Sequence, residues 1–181
     1  MKKTVSALLA LLLLLALASC GEEKPSAAAP ETTAPAQTAA KSEALAFSTT
    51  DLAGEAVDET VMNEASVVMI NFWEPWCSPC VSEMPELEKL YQAYREDGFL
   101  ILGVFSTKDA DSDSQAVIDK LGITYPILHA SEELQKYMTN YVPTTVFFDG
   151  DGNLLSQEPI VGARDYGSWE TLLREYLNGE Q

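Results

Sequence analysis

Two cysteines, Cys77 and Cys80, stand two residues apart directly after an apolar run at residues 67–72. Apolar residues recur at helical spacing from Cys80 onward, so the pair lies where a buried strand meets the start of a helix. Two thiols held there are close enough to close a small disulfide ring and to open it again. The spacing therefore predicts thiol–disulfide exchange.

The order of the two thiols predicts their roles. The unpaired N–H groups and positive dipole charge at a helix N-terminus favour a thiolate on Cys77 and lower its pKa. Cys77 comes first, at the strand-to-helix corner, where we expect it to be the more exposed sulfur. We predict that Cys77 attacks a substrate disulfide and that Cys80, one turn further on, resolves the mixed disulfide.

Structural roles for the pair are less well supported. A disulfide that closes only four residues removes little entropy from the unfolded chain. Zinc and iron–sulfur sites need about four ligands, whereas the sequence offers this pair and the single His129. No metal site is predicted, and His129 is interpreted as a satisfied core or edge histidine. The acidic stretch at residues 149–153 has Leu154 and Ile160 where a calcium loop needs Gly and Glu, which favours a hairpin turn.

The elements that must hold the pair follow from the apolar spacing. Strands alternating with helices and ending in a hairpin predict one α/β domain over residues 47–181. A helix that contains Pro85 should follow the cysteines and end at Gly98. The other predicted elements are a strand–turn–strand at 47–57, strands at 67–72, 99–105, 127–128 and 144–148, a returning strand at 154–161, and helices at 114–121, from 131, and over 169–177.

The first residues have the pattern of a targeting signal. Two lysines precede an apolar segment at residues 5–18, which is shorter than the ~20 residues of a membrane span. The tetrad from Leu17 to Cys20 resembles the lipobox of bacterial lipoproteins, which implies cleavage before Cys20 and lipid on that residue. An ordinary secretory signal followed by a chance cysteine is the alternative. We predict a lipoprotein signal peptide at residues 1–19.

Residues 20–46 follow as a lipidated cysteine and a flexible tether. The segment is rich in Ala, Pro and Thr and has no apolar period, so it cannot bury enough surface to offset the entropy of ordering. The chain has 11 basic and 28 acidic residues and a net charge of −17. That balance argues against nucleic acid and against anionic lipid head groups as partners.

Two motifs together resemble a known family. Phe72-Trp73 precedes the segment from Trp76 to Cys80, and Pro85 follows five residues after Cys80; this is similar to the active site of the thioredoxin-like fold. Val142-Pro143 before a predicted strand resembles that fold's cis-proline loop. With the leading hairpin and the lipoprotein start, the chain most resembles the membrane-anchored TlpA/ResA-type branch, neighbouring the redoxin and AhpC/TSA-type domains. The resemblance implies a central mixed β-sheet flanked by helices, with an N-terminal β-hairpin extension.

The resemblance also assigns roles around the cysteines. It implies that Cys77 is the attacking thiol and Cys80 the resolving thiol. Pro143 should be cis and packed against the pair, Val142 should offer its backbone to an extended substrate, and Trp76 should flank the site.

Departures from the family pattern concern the surroundings of the pair. Glu74, three residues before Cys77, could raise the thiol pKa, or it could be a solvent-facing loop acid. Thioredoxins have an Asp at the position of Asn71; Glu83 could replace that buried acid, or it could be a helix-surface acid. Tyr141 stands where family members commonly have Gly, which could reshape the substrate groove.

The resemblance implies a cofactor-free thiol–disulfide oxidoreductase, lipid-anchored on the extracytoplasmic face of a membrane in the cell envelope. It would reduce disulfide-bearing envelope proteins, in cytochrome c maturation or in recycling of a methionine sulfoxide reductase. Its electrons would come from a membrane thiol carrier of the CcdA/DsbD type. The direction of electron flow stays open at this point, because Cys-x-x-C enzymes span roughly −270 to −120 mV.

Two alternatives remain. A thiol peroxidase of the peroxiredoxin type needs a Thr where this chain has Glu74. A Sco-like copper carrier uses a Cys-x-x-x-Cys pair, one residue longer than the spacing here.

Overall fold

The computed structural model describes residues 43–179 of the chain. The predicted signal peptide, Cys20 and most of the predicted tether lie outside these residues. Within residues 43–179, none of the helices is both long enough and apolar enough to cross a bilayer.

A five-stranded mixed sheet forms the centre of the domain, in the order β5-β4-β3-β6-β7. Strand β3 lies in the middle, parallel to β4 and antiparallel to β6, while β5 is parallel to β4 and β7 is antiparallel to β6. The strands are β3 (Val67–Phe72), β4 (Phe99–Phe105), β5 (Ile127–His129), β6 (Thr144–Phe148) and β7 (Ile160–Val161).

In residues 43–179, four α-helices accompany the sheet. They are α1 (Ser78–Tyr94), α2 (Asp111–Leu121), α3 (Glu132–Gln135) and α4 (Tyr166–Asn178). Helix α1 runs through Pro85 and passes into a short 3-10 turn that ends at Gly98, in the left-handed conformation. Helix α2 begins three residues earlier than predicted, at Asp111. Acidic residues in its first turn are stabilised by the positive end of the helix dipole.

The core has two halves, one on each face of the sheet. Alternate residues of β3 point to opposite faces. Val67 and Met69 pack in the half that contains residues of α1 and α4, and Val68 and Ile70 pack in the other half. All six residues of β3 are buried, as the apolar run predicted. The predicted fold, a mixed sheet flanked by helices, is confirmed.

The N-terminal hairpin pairs β1 (Ser48–Thr50) with β2 (Ala56–Asp58) and lies against the β5 edge. The Thr49 hydroxyl donates to the backbone carbonyl of His129 at 2.7 Å. Leu45, two residues before the predicted boundary at residue 47, is buried, and its N–H donates to the carbonyl of Gly152 at 2.8 Å.

The predicted returning strand at 154–161 is wrong in extent. Within residues 154–161, only β7 and one isolated bridge between Leu154 and Phe148 pair with β6. The N–H groups of Leu155 and Ser156 both donate to the carbonyl of Phe147, and the Ser156 hydroxyl accepts from Phe147 N–H. Because one carbonyl accepts two N–H groups and a side chain accepts the Phe147 N–H, the regular pattern of β-sheet hydrogen bonds is interrupted here.

Candidate active site

The cysteine pair lies at the edge of the sheet where β3 ends and β6 begins. Cys77 is the N-cap of α1, and Cys80 lies in the first turn. The two sulfurs form a disulfide with an S–S distance of 2.06 Å and a Cα–Cα distance of 5.3 Å. The strand therefore delivers the pair to a helix N-terminus, as the sequence predicted.

The Cys77 sulfur is held between a helix terminus and a loop. It accepts the Cys80 backbone N–H at 3.3 Å, and it lies 3.6 Å from the carbonyl oxygen of Val142. In the dithiol state the same N–H can stabilise a Cys77 thiolate. Cys77 is 4% exposed and Cys80 is 1% exposed. Cys77 is the more exposed residue of the two, as expected, and both residues are buried.

The peptide bond between Val142 and Pro143 is cis, which confirms that part of the resemblance. The Pro143 carbonyl accepts the N–H of Gly162 at 2.9 Å, and Thr144 pairs with Val161 of β7. Pro143 is buried, and Val142 is half-buried. The loop is thus attached to the sheet on one side and faces the disulfide on the other.

Trp76 directly precedes Cys77 in the chain and is 70% exposed. Its indole N–H donates to the Thr107 hydroxyl at 3.2 Å. This contact ties the ring to the loop that follows β4.

Glu74 is buried, so its interpretation as a solvent-facing loop acid is wrong. Its carboxylate accepts the Ser106 N–H at 2.8 Å, the Ser106 hydroxyl at 2.7 Å and the Thr107 N–H at 3.3 Å. Its backbone carbonyl accepts the Cys77 N–H at 3.0 Å. One residue thus joins the turn before Cys77 to the loop that supports Trp76. An effect of Glu74 on the Cys77 pKa stays a prediction.

Glu83 is buried as well, so its interpretation as a helix-surface acid is also wrong. One carboxylate oxygen accepts the Trp169 indole N–H at 2.9 Å and the Arg164 backbone N–H at 2.7 Å. The other oxygen lies 3.4 Å from the Asn71 side-chain nitrogen. Asn71 in turn donates to the Thr145 hydroxyl at 3.0 Å. The acid therefore joins α1 to α4, to the loop before α4 and to the central strands.

Burial raises the pKa of Glu83 above its ordinary value. The hydrogen bonds from Arg164, Trp169 and Asn71 and the Arg164 charge oppose this shift and only partly cancel it. Residues three apart on a helix share a face, so Glu83 lies one turn below Cys80 on the buried side of α1. A carboxyl group there with a raised pKa is suited to hold a proton near the resolving sulfur.

The partners of these two acids are distant in sequence and were not predicted from it. Trp169 and Arg164 come from the C-terminal part of the chain, and the Arg164 guanidinium lies 5.5 Å from the centre of the Trp169 ring. Ser106 and Thr107 follow β4. One available signal was that Ser106 and Thr107 follow a buried strand parallel to β3, so they had to reach the same sheet edge.

His129 is a satisfied edge histidine, as interpreted from the sequence. Its ring nitrogens lie 2.9 Å from the Asp111 carboxylate and 3.1 Å from the carbonyl of Thr50. Across residues 43–179, no three His, Cys, Asp or Glu side chains are grouped as metal ligands.

Comparison with known proteins agrees with this geometry. The model of the AhpC/TSA family matches residues 40–157. The chain belongs to the AhpC/TSA family. The thiol-disulfide oxidoreductase ResA of Halalkalibacterium halodurans is 30% identical over 137 residues, which cover 75% of this chain and 73% of the relative. ResA of Bacillus thuringiensis is 32% identical over 140 residues, with 74% and 76% covered.

A crystal structure of a thioredoxin-family thiol:disulfide interchange protein from Chlorobium tepidum has the same fold. Its TM-score is 0.65 at 24% identity, with 74% of this chain and 94% of the other covered. The ResA relatives and the bonded Cys77–Cys80 pair show that this member of the family is a thiol–disulfide oxidoreductase.

Proposed function

We propose that the reduced Cys77–Cys80 pair reduces disulfides of partner proteins in the cell envelope. One observation carries the proposal. The Cys77 sulfur lies at a helix N-terminus and 3.6 Å from the carbonyl of Val142, next to the cis peptide bond. A substrate sulfur that approaches Cys77 must therefore pass along the backbone of Val142, where an extended peptide can pair with it.

The first step is attack on the substrate. The Cys77 thiolate, stabilised by the Cys80 N–H and the α1 dipole, attacks one sulfur of the substrate disulfide. A bond forms between Cys77 and that sulfur, the substrate S–S bond breaks, and the other substrate sulfur leaves as a thiolate that takes up a proton.

The second step releases the substrate. Cys80 loses its proton, and Glu83 is the acceptor we assign to it because it is the buried acid on the same helix face. The Cys80 thiolate attacks the Cys77 sulfur, the Cys77–Cys80 disulfide forms, and the second substrate sulfur leaves and is protonated. The substrate gains two electrons and two protons, and the protein is left oxidised.

Regeneration and location complete the proposal. A membrane thiol carrier of the CcdA/DsbD type returns two electrons to the pair. Lipid on Cys20 holds the chain on the extracytoplasmic face, with the segment before Leu45 as a tether. Apocytochrome c or a methionine sulfoxide reductase fits as a partner, since each presents a protein disulfide.

Thiol peroxidase activity is the second candidate, and the AhpC/TSA match favours it. That chemistry needs a hydroxyl three residues before the attacking cysteine. The side chain at this position is Glu74, whose carboxylate hydrogen bonds are made to Ser106 and Thr107. A measured rate of peroxide consumption no higher than that of Cys77→Ser excludes it.

A trapping experiment tests the proposed function. Cys80→Ser removes the resolving thiol, so we expect cells to accumulate protein partners bound to Cys77 through a disulfide. Cys77→Ser is the matched control and should trap none. The proposal is overturned if Cys80→Ser forms no adduct, and its reductase direction is overturned if the pair has a potential near the oxidising end, roughly −120 mV.

A further inference from the structure

The exposed apolar residues of this protein are not spread evenly. In the described part of the chain, five large apolar side chains are exposed: Val61, Trp76, Tyr141, Leu154 and Val161. Three of them are next to residues of the site, either along the chain or across the sheet. Trp76 precedes Cys77, Tyr141 precedes Val142, and Val161 pairs with Thr144 beside the cis peptide. Exposed apolar groups that cluster in this way mark an interaction surface.

The backbone of Tyr141 is held in place while its aromatic ring stays exposed. Its backbone is fixed by hydrogen bonds: its N–H donates to the Thr139 hydroxyl at 3.1 Å, and its carbonyl accepts from Thr139 at 3.1 Å and from Thr144 at 2.6 Å. Its side chain is nevertheless 70% exposed. A rigid backbone beneath a free aromatic ring loses little entropy on binding, as in the aromatic anchors of protein interfaces.

The backbone of Val142, the residue after Tyr141, determines which part of a bound substrate the Tyr141 ring can contact. Among residues 43–179, Val142 N–H has no backbone acceptor, and the Val142 carbonyl has only the Cys77 contact. A substrate strand that pairs there advances about 3.3 Å per residue. A ring one residue from Val142 therefore contacts the side chains next to the substrate cysteine and not the sulfur itself.

We propose that Tyr141 is a specificity-determining residue that selects substrates with an apolar side chain within two residues of the reacting cysteine. Tyr141, Trp76 and Val161 form the apolar rim of the site. The occupant is an extended polypeptide segment that carries a disulfide. This inference rests on the proposed function and specifies its substrate class.

The test compares three disulfides as substrates of the full-length reduced protein. Two are symmetrical disulfide dimers of one short peptide, with either Leu or Ser on both sides of its cysteine; the third is 2-hydroxyethyl disulfide, which is too small to reach the rim. The measurement is the second-order rate constant for oxidation of the protein. We expect the wild type to prefer the Leu peptide by about tenfold, because a buried apolar contact discriminates by this order.

Variants test whether Tyr141 causes the preference for the Leu peptide. Tyr141→Ser should reduce it to within about twofold while leaving the rate with 2-hydroxyethyl disulfide unchanged. Tyr141→Phe should keep the preference, as should Leu154→Ser, which removes an exposed apolar group at the far end of β6. If the wild type reduces all three disulfides without preference, or if Tyr141→Ser keeps the preference, the role of Tyr141 is overturned and the proposed function stands. If none is reduced, both are overturned.

Discussion

At the scale of single residues, two buried carboxylates lie near the disulfide and differ in what holds them. Within the described part of the chain, the carboxylate of Glu74 accepts its hydrogen bonds from the loop that follows β4. Glu83 receives its bonds from a strand, a loop and a helix. For Glu83, burial outweighs these bonds and raises the pKa. Its carboxyl group is therefore suited to exchange a proton, whereas the hydrogen bonds of Glu74 position the loop after β4.

Glu83→Gln tests the proton transfer. The amide keeps the shape of the side chain and cannot take the Cys80 proton. We expect release of the mixed disulfide to slow by about a hundredfold at neutral pH, while attack by Cys77 changes by less than about threefold. Single-turnover measurement of mixed-disulfide formation and decay separates the two steps.

Glu86→Gln is the matched control, because Glu86 is a surface acid on the same helix, paired with Lys89 at 2.7 Å. It should leave both steps unchanged. A normal decay rate in Glu83→Gln would show that another group takes the proton.

At the scale of elements, the turn at residues 149–153 is a packing element. The Asp149 side chain accepts the N–H groups of Asp151 at 3.0 Å and Asn153 at 2.8 Å. Gly150 lies against two backbone carbonyls, that of Met62, the last residue of the short 3-10 helix Glu59–Met62, and that of Ala65, which precedes β3. The turn therefore fixes the entry to the strand that delivers the cysteines.

Gly150→Ala should lower the free energy of unfolding by about 2 kcal/mol, since a Cβ there would lie 2.9 Å from the Met62 carbonyl oxygen and closer still to that of Ala65. Gly167→Ala is the control. A Cβ at Gly167, in α4, meets nothing nearer than an Asp165 carboxylate oxygen at 3.8 Å, and Ala favours helix. Urea unfolding of the oxidised proteins measures both. Equal midpoints would refute the close packing of the turn.

At the scale of the whole molecule, stability should depend on pH in two separate windows. Hydrogen bonds lower the pKa of several exposed acids, including Asp58 and Asp165, so their stabilisation is lost as the pH falls below about 4. The contribution of Glu83 to stability changes with pH in the opposite direction. Its raised pKa means that the folded protein binds the proton more tightly, so stability falls as the pH rises from about 4.5 towards the folded pKa.

The difference between wild type and Glu83→Gln isolates this effect. We expect the wild type to lose stability relative to the variant as the pH rises above about 4.5, with no further relative change once Glu83 is ionised in the folded protein. Chemical unfolding across this range, with both proteins oxidised so that the cysteines do not titrate, provides the measurement. Parallel curves would show that Glu83 does not titrate differently in the folded protein.

The elements and the cysteine pair could be predicted because their signals are local. The apolar run of β3, the spacing after Cys80, Gly98 and the proline at Pro143 each act on neighbouring residues. The burial of Glu83 could not be predicted in this way, because Trp169, which covers it, is 86 residues away in sequence. The same holds for Glu74 and its partner Ser106, 32 residues away. The extent of β7 was missed because the side chain of Ser156 replaces a backbone partner.

The hydrogen bond between Trp169 and Glu83 also has an optical consequence. Indole fluorescence responds to charge at the ring nitrogen, and this nitrogen lies 2.9 Å from a carboxylate oxygen of Glu83. The emission of Trp169 should therefore change when Glu83 gains or loses its proton. The protein thus contains its own fluorophore, positioned to report the ionisation of that acid without an added dye.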